Sequence, residues 1–201
     1  MSNSTSPRIV RGKPPKRTFT ENTYRKAKPF LMVDFKERCA YSQQHARRSL
    51  GIKSMEVDHF NPTLTGRARH NYSNLFLSTR HCNGSKSNKW PTKAARRAGV
   101  RFLNPCREQD YGLHIFEDRI THKLIGATPA GIYHIRMCDL NAPHLVEERG
   151  MRAEIHRLLE TSPLTVTGDF YSIPAAPIEL LRNQFEKMIP PIPYHDAGSG
   201  P

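Results

Sequence analysis

The stretch Glu56-Val57-Asp58-His59-Phe60-Asn61-Pro62 sets a carboxylate directly beside an imidazole. A carboxylate is a hard oxygen donor for a cation, and an imidazole titrates near neutrality, so the pair joins a metal-type ligand to a proton acceptor. Neighbouring side chains of a regular strand point to opposite faces. Asp58 and His59 can therefore serve one site only if the strand ends or twists there, and Pro62 is well placed to enforce that. Two asparagines, Asn74 and Asn83, and five basic side chains, Arg67, Arg69, Arg80, Lys86 and Lys89, follow within the same half of the chain.

The elements that must hold these residues are short. "SMEVDHF" has the alternation and β-branching of a strand and ends at Asn61-Pro62. Residues 63–73 read as a basic loop, "NLFLSTR" as a second strand or a turn of helix, and "HCNGSKSNKWP" as a polar helix kept short by Gly84 and stopped by Pro91. Upstream, Phe30, Leu31, Val33 and Phe35 predict a helix entered near Pro29. Downstream, "LHIFED", "HKLIGA" and "IYHIRM" read as three strands of a small antiparallel sheet, with a Pro129-Ala130-Gly131 turn before the last. A helix is expected after Asn141 and through Leu159, with Leu145, Ile155, Leu158 and Leu159 on the apolar face, and a final one near 177–188. The fold class expected is α+β. Residues 1–22 form a flexible basic arm, 23–110 the core, 111–195 an extension suited to binding a partner, and 196–201 a disordered tail.

At 201 residues the chain has room for one main domain. Its 37% hydrophobic content with 16 prolines and 12 glycines predicts many loops around a modest core. The formal charge of +13 is unevenly placed. Residues 1–100 hold 21 basic and 5 acidic side chains, whereas residues 101–201 hold 10 and 13. The first half suits a polyanion, gaining affinity from counterion release. No amphipathic basic helix, lipidation signal, signal peptide or spanning run is evident, so the expectation is a cytoplasmic protein without a membrane partner. The four cysteines, Cys39, Cys82, Cys106 and Cys138, are scattered and expected to be reduced thiols.

Taken together, "EVDHFNP", "NYSNL" and "RHCNGSKSNKWP" resemble the HNH endonuclease family, whose ββα-metal core carries Asp-His at a strand end, a central Asn in the loop, and a His or Asn opening the helix. The resemblance covers residues 39–91, about a quarter of the chain. More loosely, "IVRGKPP", "YRKAKPFL", "RCAYS" and "DLNAPHLVEER" look like standalone HNH proteins of bacterial anti-phage defence systems, which often act beside an ATPase or sensor subunit.

The resemblance implies that Asp58 and Asn83 bind one divalent cation and that His59 is the general base. It also implies that Asn74 completes the catalytic set by bracing the loop rather than by reacting. Lys86 matches the family's trailing lysine and, with Arg67, Arg69, Arg80 and Lys89, is expected to grip nucleic-acid phosphates. A carboxylate and an amide oxygen suit Mg²⁺ or Mn²⁺ better than Zn²⁺. His70 and His81 are not read as ligands.

Many relatives hold a structural zinc with two Cys-x-x-Cys pairs. Here the matching positions are Cys39 with Ser42 and Thr79 with Cys82, so a four-cysteine site is excluded. The knuckle is expected to be replaced by packing of Cys39, Tyr41, Leu75, Leu77 and Trp90, rather than rebuilt with His45 and His81. DNA is the expected substrate, with RNA as an alternative. No recognition helix or base-stacking motif is present, so contacts should fall on the backbone. Two other readings stand beside the nuclease: a catalytically silent nucleic-acid-binding module, and an adaptor that binds a protein partner through residues 101–201.

Overall fold

The computed structural model describes residues 9–107, 111–161 and 195–196. The chain is a mixed α+β protein with two small sheets. The first is a hairpin of β1 (Met55–His59) and β2 (Leu75–Thr79), paired antiparallel so that Asp58 faces Phe76 and His59 faces Leu75. All five residues of β2 are buried, and helix α1 (Lys28–Asp34) packs against it. Helix α1 begins where expected, with Pro29 in its first turn, but its buried residues are Leu31 and, just past its end, Phe35, four positions apart on one stripe. Phe30 and Val33 point outward, at 41% and 77% exposure.

The loop between the strands is not featureless. It contains the single turn α2 (Gly66–Arg69) and a 3-10 turn at Tyr72–Asn74. Helix α3 (Arg80–Lys86) follows β2 without a linker, because the Thr79 hydroxyl caps it by accepting from the Cys82 N–H. It ends after two turns at Ser87, whose positive φ of 48° breaks the helical path. The short basic helix α4 (Lys93–Arg97) comes next.

Beyond a single turn, α5 (Tyr111–His114), the second sheet has the order β4-β3-β5. Strands β3 (Ile115–Glu117) and β4 (Leu124–Gly126) are antiparallel, and β5 (His195–Asp196) pairs parallel to β3. The expected third strand, "IYHIRM", is instead helix α6 (Pro129–Met137). Thr128 caps it by accepting from the Gly131 N–H, and Pro129 occupies the first turn, where a missing N–H costs nothing. Pro129-Ala130-Gly131 is thus a helix start rather than a hairpin turn. Glycine is required at 131 because a Cβ there would stand 1.9 Å from the His114 carbonyl oxygen. Helix α7 (Pro143–Thr161) begins two residues after Asn141, whose side chain bonds Leu124 and Arg149. Leu145 is buried as expected, whereas the side chains of Leu158 and Leu159 and the helix expected at 177–188 lie outside the described residues.

One apolar cluster joins the two sheets. An aromatic chain runs from Phe76 through Phe60, Trp90 and Phe102 to Tyr133 and His134. The described part of the N-terminal arm is anchored into the same body. Arg11 lies 4.3 Å over the Tyr72 ring, donates to the Leu75 carbonyl at 3.0 Å and pairs with Asp34, and Phe19 is buried. Among the described residues, no helix is long and apolar enough to cross a membrane.

Candidate active site

Alternation along β1 sends Glu56 and Asp58 to the face covered by α3. Asp58 is 5% exposed, and its carboxylate accepts from the Tyr41 hydroxyl and from Lys86 Nζ, which lies 2.9 Å from Oδ2 and 3.1 Å from Oδ1. The same ammonium donates to the His59 carbonyl at 2.9 Å. Burial pushes the Asp58 carboxyl above its ordinary value, against the pull of the Lys86 charge and of the Tyr41 and Lys86 hydrogen bonds. Burial, then the Asp58 charge, drives the Tyr41 hydroxyl far above its usual value, so it stays a donor. One turn back on α3, Asn83 Nδ2 donates to Glu56 Oε2 at 2.7 Å, and Arg80 Nε reaches Glu56 Oε1 at 3.1 Å.

His59, the last residue of β1, turns to other partners. Its Nε2 lies 3.1 Å from His70 Nδ1, and the Tyr24 ring packs 4.6 Å from its own. His70 Nε2 is 3.3 Å from a Glu21 carboxylate oxygen. Burial, helped by the positive charge of Arg69 and the neighbouring His70, lowers the His59 pKa from 6.5 to about 4, so the imidazole is neutral at physiological pH. Asn74 laces the loop around it. Its Oδ1 accepts from the Asn61 N–H at 2.9 Å, and its Nδ2 donates to the carbonyls of Arg69 at 2.9 Å and Asn61 at 3.2 Å.

The predicted residues therefore divide into two sets. Asp58 meets Lys86 and Tyr41, Asn83 meets Glu56, and His59 meets His70 and Tyr24. In chemical kind Glu56, Asp58 and Asn83 offer hard oxygens from β1 and α3, but Lys86 Nζ already occupies the Asp58 carboxylate and the Asn83 amide nitrogen donates to Glu56. Among the described residues no three His, Cys, Asp or Glu side chains converge as a metal-binding group.

One basic assignment is corrected. Lys86 is fully buried and spends its charge on Asp58, so it is not placed to grip phosphate. An α3 position three residues after Asn83 faces β1 rather than solvent, and a buried carboxylate there needs a cation. Arg67, Arg80 and Lys89 are exposed. Arg69 is partly covered and donates to the Pro62 carbonyl, and Lys89 donates to the Ser85 carbonyl.

The four knuckle positions do converge. Cys39 Sγ accepts from the backbone N–H groups of Tyr41 at 3.4 Å and Ser42 at 3.5 Å, and from the Thr79 hydroxyl at 3.7 Å, with the Cys82 thiol as a further partner. His45 and His81 turn away, to Glu37 and Asp139. Tyr41, Leu75 and Leu77 are buried beside this cluster.

Sequence reasoning missed Glu56, Tyr41, His70, Glu21 and Tyr24. Only Glu56 had a local signal, since i−2 on a strand shares the face of Asp58; the others come from sequence-distant segments. Comparison with protein-family profiles, with curated proteins and with solved structures finds no match for this chain.

Proposed function

We propose that the protein is a metal-dependent HNH endonuclease that hydrolyses phosphodiester bonds of nucleic acid, DNA foremost, as an effector of anti-phage defence. The observation that carries this reading is the strand–loop–strand–helix unit of residues 55–86, in which Asp58 and His59 end β1, Asn74 ties the loop and Asn83 on α3 is brought against β1. Asp58 and Asn83, with Glu56 beside them, would hold Mg²⁺ or Mn²⁺. Such an ion supplies countercharge to a crowded phosphorane and to the departing alkoxide. His59, neutral and without a carboxylate of its own, accepts the proton of the attacking water. Asn74 keeps the loop, and hence the imidazole, in place. Arg67, Arg80 and Lys89 supply backbone contacts without base readout. The near-balanced charge of residues 101–201 suits an ATPase or sensor subunit as partner.

The buried Lys86–Asp58 pair favours a second reading, a nucleic-acid-binding module without catalysis, because Asp58 is already neutralised. Labelled duplex DNA, single-stranded DNA and transfer RNA, each incubated with Mg²⁺ or Mn²⁺ and with excess chelator, separate the two. The nuclease reading expects metal-dependent cleavage that His59→Ala abolishes while binding stays. Binding with no cleavage under any condition would select the second.

A further inference from the structure

The His59 face contains a chain of groups that the nuclease reading does not use. Glu21, at the turn before the 3-10 segment Tyr24–Ala27, places a carboxylate oxygen 3.3 Å from His70 Nε2, and His70 Nδ1 lies 3.1 Å from His59 Nε2. His70 is 8% exposed, meets the His59 ring edge-on at 5.1 Å, and has the Tyr24 ring stacked at 5.9 Å. It directly follows α2, where the Asn74 amide holds the Arg69 carbonyl.

The hydrogens along this chain can be assigned from donor and acceptor capacity. The negative Glu21 carboxylate, 3.3 Å away, draws the proton of a neutral His70 to Nε2 by its charge rather than through a hydrogen bond. That leaves Nδ1 of His70 bare, able only to accept. The hydrogen between the two rings must then belong to His59 Nε2, and His59 Nδ1 is left with its lone pair free.

We propose that His70 and Glu21 are positioning residues that hold His59 in its Nε2–H tautomer, so that Nδ1 is the proton-accepting atom. This rests on the nuclease reading for its purpose, though not for its geometry. When a water O–H bond breaks, its proton forms a bond to Nδ1 and His59 becomes an imidazolium whose Nε2–H still donates to His70. Glu21 supplies the negative charge at the far end, and neither positioning residue gains or loses a proton. Such outer partners fix ring orientation and tautomer.

The test uses the full chain labelled with ¹⁵N-histidine. Long-range ¹H–¹⁵N spectra, recorded without metal or substrate, report the tautomer of His59. Wild type is expected to show Nε2–H. His70→Phe removes the acceptor and should mix the tautomers, whereas His70→Asn, whose Oδ1 replaces Nδ1, should restore the wild-type pattern. Glu21→Ala, at a side chain 69% exposed, leaves folding untouched and should broaden the preference.

In cleavage of duplex DNA with Mn²⁺, His70→Phe should lower kcat about 10- to 100-fold with KM unchanged. Glu21→Ala should lower it about threefold, as a solvent-screened carboxylate does. A wild-type spectrum showing Nδ1–H, or a His59 tautomer indifferent to both Glu21→Ala and His70→Phe, overturns the proposal. Absence of cleavage by wild type would sink the nuclease reading alone, since the spectra decide the tautomer without it.

Discussion

The two faces of β1 differ as much as two faces of one strand can. Beneath α3, Asp58 is locked by Tyr41 and Lys86 in a sealed acid–ammonium contact, and Glu56 by Asn83 and Arg80. On the other face His59 is neutral, packed against the tilted Tyr24 ring and next to His70, which has a surface carboxylate on its far side. One residue of separation thus places a carboxylate where burial must be balanced by an internal cation, and an imidazole that burial keeps neutral. A strand delivers such contrast at no extra cost, because its side chains alternate.

The largest effect is expected at His59. If the protein is the proposed nuclease, His59→Ala should slow cleavage by about 10²- to 10⁴-fold, the range for a general base, while nucleic-acid affinity measured by anisotropy stays within about twofold. Affinity lost in step with cleavage would make His59 a structural residue.

On the sealed face, Lys86→Met strands a buried carboxylate and should cost about 3–5 kcal/mol in chemical denaturation, whereas the double variant Asp58→Asn/Lys86→Met should recover most of it. Equal losses in single and double variants would mean that the ion pair is not what matters there. Tyr41→Phe leaves Lys86 in place and should cost only about 1–2 kcal/mol.

Acid titration sharpens the contrast between neutral and charged interiors. His134 is fully buried, its Nδ1 accepting from the Leu103 N–H at 3.1 Å, and burial lowers its pKa from 6.5 to about 3. Between those values the unfolded chain binds a proton that the folded one refuses. This contribution to stability is therefore complete above pH 6.5 and falls with acidification by about 1.4 kcal/mol per pH unit. The raised Asp58 carboxyl acts in the opposite sense, nearer its ordinary value of 3.8. Denaturation at pH 7 and 5.5, compared with His134→Asn, isolates the histidine slope; identical slopes would show that His134 is not held neutral.

The smallest effect is expected at Arg80, whose pairing with Glu56 is solvent-exposed. Arg80→Ala should change stability by less than about 1 kcal/mol, and should reduce the salt slope of nucleic-acid binding by about one. An unchanged slope would take Arg80 out of the interface.

Much of the first sheet was legible locally. The alternation of Met55–His59 and the brevity of α3 follow from neighbours within a few residues, whereas Leu75–Thr79 reads as strand or helical turn until it pairs with β1, and the Thr79 cap shows only in the structure. Asn74 ties the loop through backbone groups of Asn61 and Arg69, 13 and 5 positions away. The second sheet was half legible: β3 and β4 stand where alternation puts them, but Ile132–Met137 is equally apolar as strand or helix. The Thr128 cap and the close approach of Gly131 to His114 decide for helix. The HNH resemblance and the basic residues around it point Lys86 at phosphate, and only the carboxylate opposite makes its burial favourable.

Residue type and spacing alone carry the strand, loop and short helix around Asp58, the carboxylate–imidazole adjacency and the concentration of positive charge in the first half. Only the tertiary structure decided that Lys86 lies under Asp58, that Glu56 meets Asn83, that Arg11 enters the core and that His70 and Glu21 stand behind His59. Those contacts join segments 11 to 64 positions apart, and the free energy of burying a charge or orienting an imidazole depends on what surrounds it, which no local pattern encodes.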